Sequence, residues 1–386
     1  MQQKDYASQI HRCFRCGWCK FTSNYSDFNC PPYKRFRFET YSTSGRLWLI
    51  RAWLKGEMQW SERLAQILYT CTTCKNCVER CPMGFANDIV DWIVAARADM
   101  VEQGKIPARV ARFFEAVHGY GNPLKLLRSD RVAWADGVKR YSPGDEFLLY
   151  IGCLASYDEN AQSMARSFVK ILDASGISYG ILGEEEECCG SEVRMLGETG
   201  LFELLADKNS RKFKELRVDK VVALCPHGYN ALKNYYPSFG SDFKVYHYTE
   251  LLSDLITRGK VKLLPKEMKI TYHDPCFLGR YNQIYEEPRS ILNSIPGATT
   301  VEMKRNKEDA FCCGGGSGNF VIDLLAGGEE SPSRVRVKEA YATGADTLAV
   351  ACPGCLTMLA DAVKAEGLQD NLSVKDISQI VVECLG

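Results

Sequence analysis

The sequence lacks an excess of charge, a long apolar run and a nucleotide-binding fingerprint. Its 48 basic and 48 acidic residues balance, which gives no support to nucleic-acid binding, because that function leaves a basic footprint. The longest apolar stretch, 347–360, is broken by Pro353 and Gly354 and is shorter than the roughly 18 residues of a membrane span. No Gly-x-Gly-x-x-Gly follows a predicted strand, so we expect no flavin or NAD bound by the chain itself.

The N-terminal stretch, MQQKDYASQIHRC, is polar and has no apolar signal core. Together these absences predict a cytoplasmic protein with no membrane span of its own; peripheral association with a membrane through a partner is left open. In a reducing compartment, dense cysteine indicates metal binding or redox chemistry. A disulfide scaffold is typical of small secreted chains and does not suit 386 residues, a length that predicts two or three domains.

Cysteine is abundant, and 17 of the 18 cysteines fall into four groups. The run from Cys71 to Cys81, followed by Pro82, matches the bacterial ferredoxin spacing Cys-x-x-Cys-x-x-Cys-x-x-x-Cys-Pro. In two-cluster ferredoxins the fourth cysteine of each run binds the other cluster. We therefore predict two cubane 4Fe-4S clusters with crossed ligands: Cys13, Cys16, Cys19 and Cys81 for the first, and Cys71, Cys74, Cys77 and Cys30 for the second.

The first ferredoxin-like group departs from that pattern, because ten residues separate Cys19 from Cys30. This insertion, 20–29, is polar and aromatic and is predicted to be a surface loop. Zinc is the competing metal, and a zinc-stabilised scaffold is the corresponding functional alternative. Structural zinc sites usually pair two Cys-x-x-Cys arms, so the spacing favours iron–sulfur.

Apolar residues at helical intervals surround both groups, including several tryptophans that we interpret as core. Two clusters set among helices resemble the α-helical ferredoxin domain, here residues 1–110. Residues 111–144 contain Pro123 and Pro143 and are predicted to form a connector, with a helix near 108–118.

The second half of the chain contains an internal repeat. Two sets of four cysteines recur at offsets of 123 to 127 residues: Cys153, Cys188, Cys189 and Cys225, then Cys276, Cys312, Cys313 and Cys352. Strands and helices alternate around both sets in the same order, with helices predicted near 158–174, 198–216, 287–294 and 333–342 and shorter strands near 177–182 and 299–303. This predicts two duplicated α/β modules, 145–262 and 263–386, related by a pseudo-twofold, with parallel sheets and with cysteines at the carboxyl ends of strands, where open sheets bind ligands.

Each copy reads Cys, a gap, Cys-Cys-Gly, a gap, then Cys-Pro, within phrases such as YHDPCFLGRYN and FCCGGGSG. This pattern resembles the CCG module of the catalytic subunit of heterodisulfide reductase. The whole chain is similar to iron–sulfur oxidoreductase subunits that fuse a two-cluster ferredoxin domain to two CCG modules. The resemblance implies that a complete module binds a noncubane 4Fe-4S cluster through five cysteines. The C-terminal module has all five: Cys276, Cys312, Cys313, Cys352 and Cys355.

The glycines after Cys313 are predicted to let backbone approach that cofactor and donate N–H groups to sulfur. They are Gly314, Gly315 and Gly316, with Gly318 beyond them. A phosphate loop is the alternative, but the Lys-Ser/Thr of a P-loop is missing.

The N-terminal module is incomplete, because Gly228 stands where the fifth thiolate is expected. Three outcomes are open for its four cysteines: a cluster with one accessible iron, a different centre such as a smaller cluster or zinc, or an empty relic. His227 is a candidate substitute ligand, since imidazole replaces thiolate in some iron–sulfur sites. We favour a histidine that caps the following helix or binds nearby backbone.

These features predict an iron–sulfur electron-transfer subunit of a multi-subunit anaerobic oxidoreductase, acting between the cubane clusters and the C-terminal module. The resemblance implies partners that are flavoproteins or other redox subunits, in a bifurcating, benzoyl-CoA reductase-type or acyl-CoA dehydrogenase-linked complex. The alternative is a catalytic reductase of a heterodisulfide (CoM-S-S-CoB or another disulfide). Because Gly228 replaces the fifth thiolate of the first module, we favour electron transfer over disulfide reduction.

Other residues are given plainer interpretations. The acidic run 184–187 is predicted to be a solvated loop, with a docking patch for a basic partner as the alternative. His273, Asp274 and Arg280 lie near Cys276 in the chain and are open to either proton relay or packing. Cys384 is interpreted as an ordinary thiol.

Overall fold

The computed structural model describes residues 6–386; the first five residues of the polar N-terminus lie outside them. The N-terminal part is helical, as predicted. Its helices are α1 (Tyr6–Gln9), α2 (Pro31–Phe36), α3 (Thr43–Leu54), α4 (Glu62–Tyr69), α5 (Asn76–Arg80), α6 (Ile89–Glu102) and α7 (Ala108–Tyr120).

Serine caps and apolar faces explain the longer N-terminal helices. Ser42 accepts a hydrogen bond from the backbone N–H of Gly45 at the start of α3, and Ser61 caps α4 in the same way. Trp92 of α6 is buried and stacks on Phe85 with ring centroids 5.3 Å apart. The interpretation of this tryptophan as core is therefore correct.

The second half contains two four-stranded parallel sheets of identical topology. The first sheet has the order β2-β1-β3-β4 and the second β6-β5-β7-β8, with every neighbouring pair parallel. The predicted duplication into two α/β modules is confirmed. The strands are β1 (Phe147–Tyr150), β2 (Tyr179–Ile181), β3 (Lys220–Ala223), β4 (Lys244–His247), β5 (Met268–Tyr272), β6 (Ala298–Thr300), β7 (Thr347–Val350) and β8 (Ser373–Asp376).

Helices cover both sheets, and the long helices predicted in the modules begin and end within about one residue of the expected positions. The strand predicted at 299–303 is shorter and lies at β6. Module helices are α8 (Cys153–Tyr157), α9 (Glu159–Ser175), α10 (Ser191–Met195), α11 (Thr199–Glu215), α12 (Pro226–Asn234), α13 (Tyr248–Thr257), α14 (Gly279–Asn282), α15 (Glu286–Asn293), α16 (Asn319–Ile322), α17 (Pro332–Tyr341), α18 (Pro353–Ala365) and α19 (Ile377–Val382).

The last helix of each module packs on a helix of the other module. The last helix of the first module, α13, packs on α15 of the second, and the last helix of the second, α19, packs on α9 of the first. A buried hydrogen bond of 2.7 Å from Tyr248 to Asp376 joins them. Because of this pseudo-twofold arrangement, the carboxyl ends of both sheets face each other.

Two segments make contacts for which the sequence has no signal. In the connector, the Tyr141 N–H donates to the Ile181 carbonyl, extending the first sheet beyond β2. The insertion 20–29 is exposed at its tip, but its base binds the second module: Asn29 donates to the Asp309 carbonyl (2.9 Å), and Arg305 donates to the Phe28 carbonyl (2.9 Å). The prediction of a simple surface loop is therefore wrong at the base.

Across residues 6–386, none of the helices combines the length and apolar character that crossing a bilayer requires.

Candidate metal centres

The first predicted cubane set surrounds one small cavity, which Cys13, Cys16, Cys19 and Cys81 line together. Burial raises the pKa of Cys13, and the neighbouring thiols of Cys16 and Cys81 raise it further. Trp48 holds the loop by donating to the Cys13 carbonyl (2.7 Å). The structure thus brings Cys81 to the first group, as the crossed assignment requires.

The second predicted cubane set is also assembled, despite the ten-residue insertion. Burial raises the pKa of Cys30 to about 12; Arg46 lowers it, whereas the nearby thiols of Cys74 and Cys71 raise it. Burial raises the pKa of Cys77, and the nearby thiols of Cys71 and Cys74 raise it further. The insertion therefore lengthens the first motif without removing Cys30 from the site.

All five cysteines of the C-terminal module are buried together. Cys276 follows β5 and is in hydrogen-bond contact with Cys312, and the Sγ atoms of Cys313 and Cys355 are 3.4 Å apart. Cys352 follows β7 and precedes the first residue of α18, and Cys355 lies in the first turn of that helix. The positive end of the α18 dipole therefore faces the thiols and favours an anionic group there.

The glycines beside this site serve different purposes. The Gly314 N–H points at Cys312 Sγ (3.4 Å), as predicted for a donor to sulfur. Gly315 and Gly316 line the cavity above the cysteines. A Cβ on Gly316 would stand 2.4 Å from the Thr72 carbonyl oxygen. The loop that carries Thr72 approaches this backbone so closely that only glycine fits at position 316. No sequence pattern predicts this restriction.

In the N-terminal module the four predicted cysteines also come together. Cys153 is in hydrogen-bond contact with Cys188, and the Gly190 N–H points at Cys188 Sγ (3.4 Å), repeating the Gly314 geometry. Cys225 precedes α12 as Cys352 precedes α18. In the first turn of α12, Gly228 occupies the position that Cys355 has in α18.

His227 does not cap the helix that follows it. Its Nδ1 is hydrogen-bonded to Glu192, and its ring stacks on Phe277 of the other module with centroids 4.0 Å apart. It also contacts Cys352. Burial lowers the pKa of His227, but Glu192 and Cys352 outweigh burial and raise the pKa well above the usual value. The histidine thus connects the two modules.

The thiol groups of neighbouring sites lie next to one another in series. Burial raises the pKa of Cys19 in the first predicted cubane set and of Cys77 in the second, and a nearby thiol of the other set raises each further: Cys30 acts on Cys19, and Cys19 acts on Cys77. Cys74 of the second set is in hydrogen-bond contact with Cys312 of the C-terminal module.

The last link joins the two modules. Cys352 is in hydrogen-bond contact with Cys225, and both module sites line one shared cavity. No spacing in the sequence signals these junctions, since each joins elements far apart in the chain.

Buried arginines show that the sites suit anionic clusters. Arg280 donates to the Cys74 and Ala310 carbonyls (2.6 and 2.8 Å) and has no carboxylate partner among the described residues. Burial lowers the pKa of Arg280, but the thiols of Cys74, Cys276 and Cys312 outweigh it. An unpaired buried cation is costly, so this site fits thiolate-bound iron–sulfur clusters, which are anionic. Two further arginines are likewise buried and bound mainly to carbonyls: Arg97 and Arg46.

Two other residues singled out in the sequence, Glu186 and Asp274, are structural. Glu186 is buried, pairs with Arg131 at 2.6 Å and accepts backbone N–H groups. Both interpretations of the acidic run, as solvated loop or docking patch, are therefore wrong at this residue. Asp274 forms a two-bond ion pair with Arg289.

His273 lies beside the C-terminal site. A ring nitrogen is within 4.8 Å of the Cys313 and Cys355 sulfurs, and its Nδ1 accepts a hydrogen bond from Arg336. Its position in the chain, three residues before Cys276, is the one sequence signal for it.

Replacing Arg280 with glutamine is expected to lower the midpoint potentials of the clusters predicted at the second cubane site and at the C-terminal site. The substitution removes a positive charge that favours the reduced state. At an effective dielectric constant of about 20, a charge roughly 7 Å away contributes about 2 kcal/mol, or on the order of 100 mV for one electron. Redox titration monitored by EPR measures the shift. Arg258→Gln, which removes an exposed arginine paired with Asp254, is the matched control and should leave both potentials unchanged.

Known protein families match three parts of this chain. A 4Fe-4S dicluster domain matches residues 9–85, and a cysteine-rich domain, CCG, matches 147–233 and 270–360. A solved structure, a hypothetical protein from Helicobacter pylori, shares the fold with a TM-score of 0.56 at 12% identity, covering 92% of this chain and 70% of that one.

Curated relatives are similar over most of the chain. One subunit of the dihydromethanophenazine:CoB--CoM heterodisulfide reductase of Methanosarcina barkeri is 33% identical, covering 98% of this chain and 94% of its own. "Probable iron-sulfur-binding oxidoreductase FadF" of Bacillus subtilis is 38% identical, and "EtfAB:quinone oxidoreductase" of Syntrophomonas wolfei 36%, each covering 82% of this chain. The chain spans about half the length of these last two, 46% of each. It belongs to the family of iron–sulfur oxidoreductases that includes this heterodisulfide reductase polypeptide, with one dicluster domain and two CCG domains.

Proposed function

We propose that this chain is the electron-transfer subunit of a larger oxidoreductase. When bound, iron–sulfur clusters supply one-electron transfer. The observation that carries the proposal is the series of neighbouring thiols: Cys19 lies near Cys30, Cys74 contacts Cys312, and Cys352 contacts Cys225. A protein that only needed metal for stability has no reason to place four sites next to one another in a continuous series.

The ligand assignment supported by this grouping is the crossed one. Two cubane sites lie in a domain of residues 1–110, and a noncubane site lies in the module 263–386. The module 145–262, joined by the connector 111–144, would hold an altered centre on Cys153, Cys188, Cys189 and Cys225. The role of the protein itself is to bury these thiols and to place uncharged carbonyls and guanidinium groups around them.

Donor and acceptor are, in this proposal, separate redox subunits. One relative is named for EtfAB on one side and quinone on the other, and another is named as one polypeptide of a multi-part reductase. Both names suit a chain that passes electrons between partners. We propose a cytoplasmic location for it, with any membrane contact made through a partner.

Anaerobic preparations are expected to contain iron and sulfide near 12 of each per chain, for about three tetranuclear clusters, and little zinc. Stepwise reduction followed by EPR should produce cubane signals and a distinct signal from the C-terminal module. Elemental analysis provides the independent check. Zinc in place of iron, or a C-terminal centre that stays oxidised when both cubanes are fully reduced, would contradict the relay.

A second candidate function, disulfide reduction, is favoured by one observation. The shared cavity is lined by cysteines of both modules, so a disulfide bound there would lie between the two module sites. Reduced viologen with a mixed disulfide tests this directly. The relay predicts no turnover by fully loaded protein, whereas sustained thiol release would favour the reductase.

A further inference from the structure

The first cubane site contains the cysteine that solvent reaches most. Within residues 6–386, Cys16 alone is exposed, and the other cysteines are buried or half-buried. An exposed ligand brings the bound centre to the protein surface, where another protein can approach it. The opposite end of the thiol series lies between the two modules.

The chain segment that carries Cys16 is basic in a chain that is neutral as a whole. Residues 10–55 contain nine Arg or Lys against two Asp or Glu. Arg12 and Arg15 flank the cysteine loop, are exposed, and form no ion pair within the described part of the chain. Arg15 and Arg51 both stack on the Trp48 indole, at 3.9 and 4.8 Å. The indole thus holds the Arg15 guanidinium beside the site, whereas Arg51 is also paired with Glu57 at 3.7 Å.

Exposed aromatic rings accompany these charges. Phe14 is 61% exposed, Trp18 46% and Tyr25 52%, and the Trp18 and Tyr25 rings are in contact at 5.5 Å between centroids. Exposed aromatic side chains next to arginine are the composition of protein interfaces. Charge alone does not explain them, since a solvated basic surface has no need of exposed rings.

We propose that this basic aromatic face, formed by Arg12, Phe14, Arg15, Cys16, Trp18 and Tyr25, is the docking site of an acidic electron-transfer protein. The proposal rests on the relay function and adds the chemistry of one partner. Opposite charge steers the encounter and fixes its orientation, while the rings supply apolar contact next to the centre that receives or gives the electron.

Stopped-flow reduction of the anaerobic, cluster-loaded full chain by a small acidic two-cluster ferredoxin tests the face. We expect the bimolecular rate to fall at least tenfold between about 50 and 500 mM salt, because exposed charges are screened. At low salt, the double variant Arg12→Glu, Arg15→Glu should react at least tenfold more slowly than the unaltered protein. Lys260→Glu, Lys262→Glu reverses two exposed charges at the linker between the modules and should leave the rate unchanged.

Reduction by dithionite separates the two proposals. If dithionite reduces the cubanes but the ferredoxin rate is insensitive to salt in the unaltered protein, the docking face is wrong and the relay stands. If the cubanes are absent or not reduced by either reagent, the relay itself is wrong. Salt-sensitive binding to anionic phospholipid vesicles, with no salt effect on reduction by the ferredoxin, would assign the face to a membrane and overturn the proposal.

Discussion

Replacing Cys355 with alanine is expected to abolish the distinct EPR signal of the C-terminal module while both cubane signals persist. Cys355 lies in the first turn of α18, 3.4 Å from Cys313 and next to Cys352. Removal of this thiol leaves the four-cysteine set that the N-terminal module already has. Because the cubane ligands lie on other elements, they are all retained, and the iron content should fall by up to about four per chain, the number in one tetranuclear cluster.

Cys384→Ala is the matched control, since Cys384 is equally buried and belongs to none of the four groups. It should leave every signal and the iron content as they are. Circular dichroism and the cubane spectrum report whether each variant is folded. Persistence of all signals in a folded Cys355→Ala variant would show that the noncubane assignment is wrong.

Spacing alone predicts the grouping of the cysteines. The Cys-x-x-Cys runs place ligands on single loops, and the repeat offset places the rest at corresponding positions of the two modules. Both are local patterns, so they can be interpreted without knowledge of the packing. The long helices, such as α9 and α11, are predictable for the same reason: their apolar residues recur at helical intervals within one continuous segment.

No local sequence pattern predicts which cysteine sites lie next to one another. Cys74 and Cys312 are 238 residues apart, and Cys225 and Cys352 are 127 apart, so no periodicity relates them. Their contacts depend on two features of the packing. Helices α13 and α19 each pack on the opposite module, and the loop that carries Thr72 approaches the glycines after Cys313 closely. The capping role favoured for His227 is wrong for the same reason, since its ring packs on the other module.

The substitution Gly228→Cys is expected to create a second five-thiol set and to add a noncubane signal. A Cβ at Gly228 would have only ordinary contacts, with Tyr150 at 3.7 Å and with Cys189 Sγ at 3.9 Å. The backbone there is helical, so a side chain introduces no strain and removes the conformational cost of glycine in a helix, roughly 0.5–1 kcal/mol. The new thiol would face Cys189 as Cys355 faces Cys313.

Gly228→Ser is the matched control, because a hydroxyl has nearly the size of the thiol but is a poor ligand for iron of this kind. Iron analysis and EPR of both variants distinguish the three states considered for the N-terminal module. A gain of about four irons with the new signal indicates a site that was empty, and a new signal at nearly constant iron indicates an altered cluster that has been completed. If Gly228→Cys and Gly228→Ser give the same spectrum and metal content, loss of the fifth thiolate is not what distinguishes the modules. The cause would then lie with Glu192 and His227, which stand where the C-terminal module has Gly316 and Gly354.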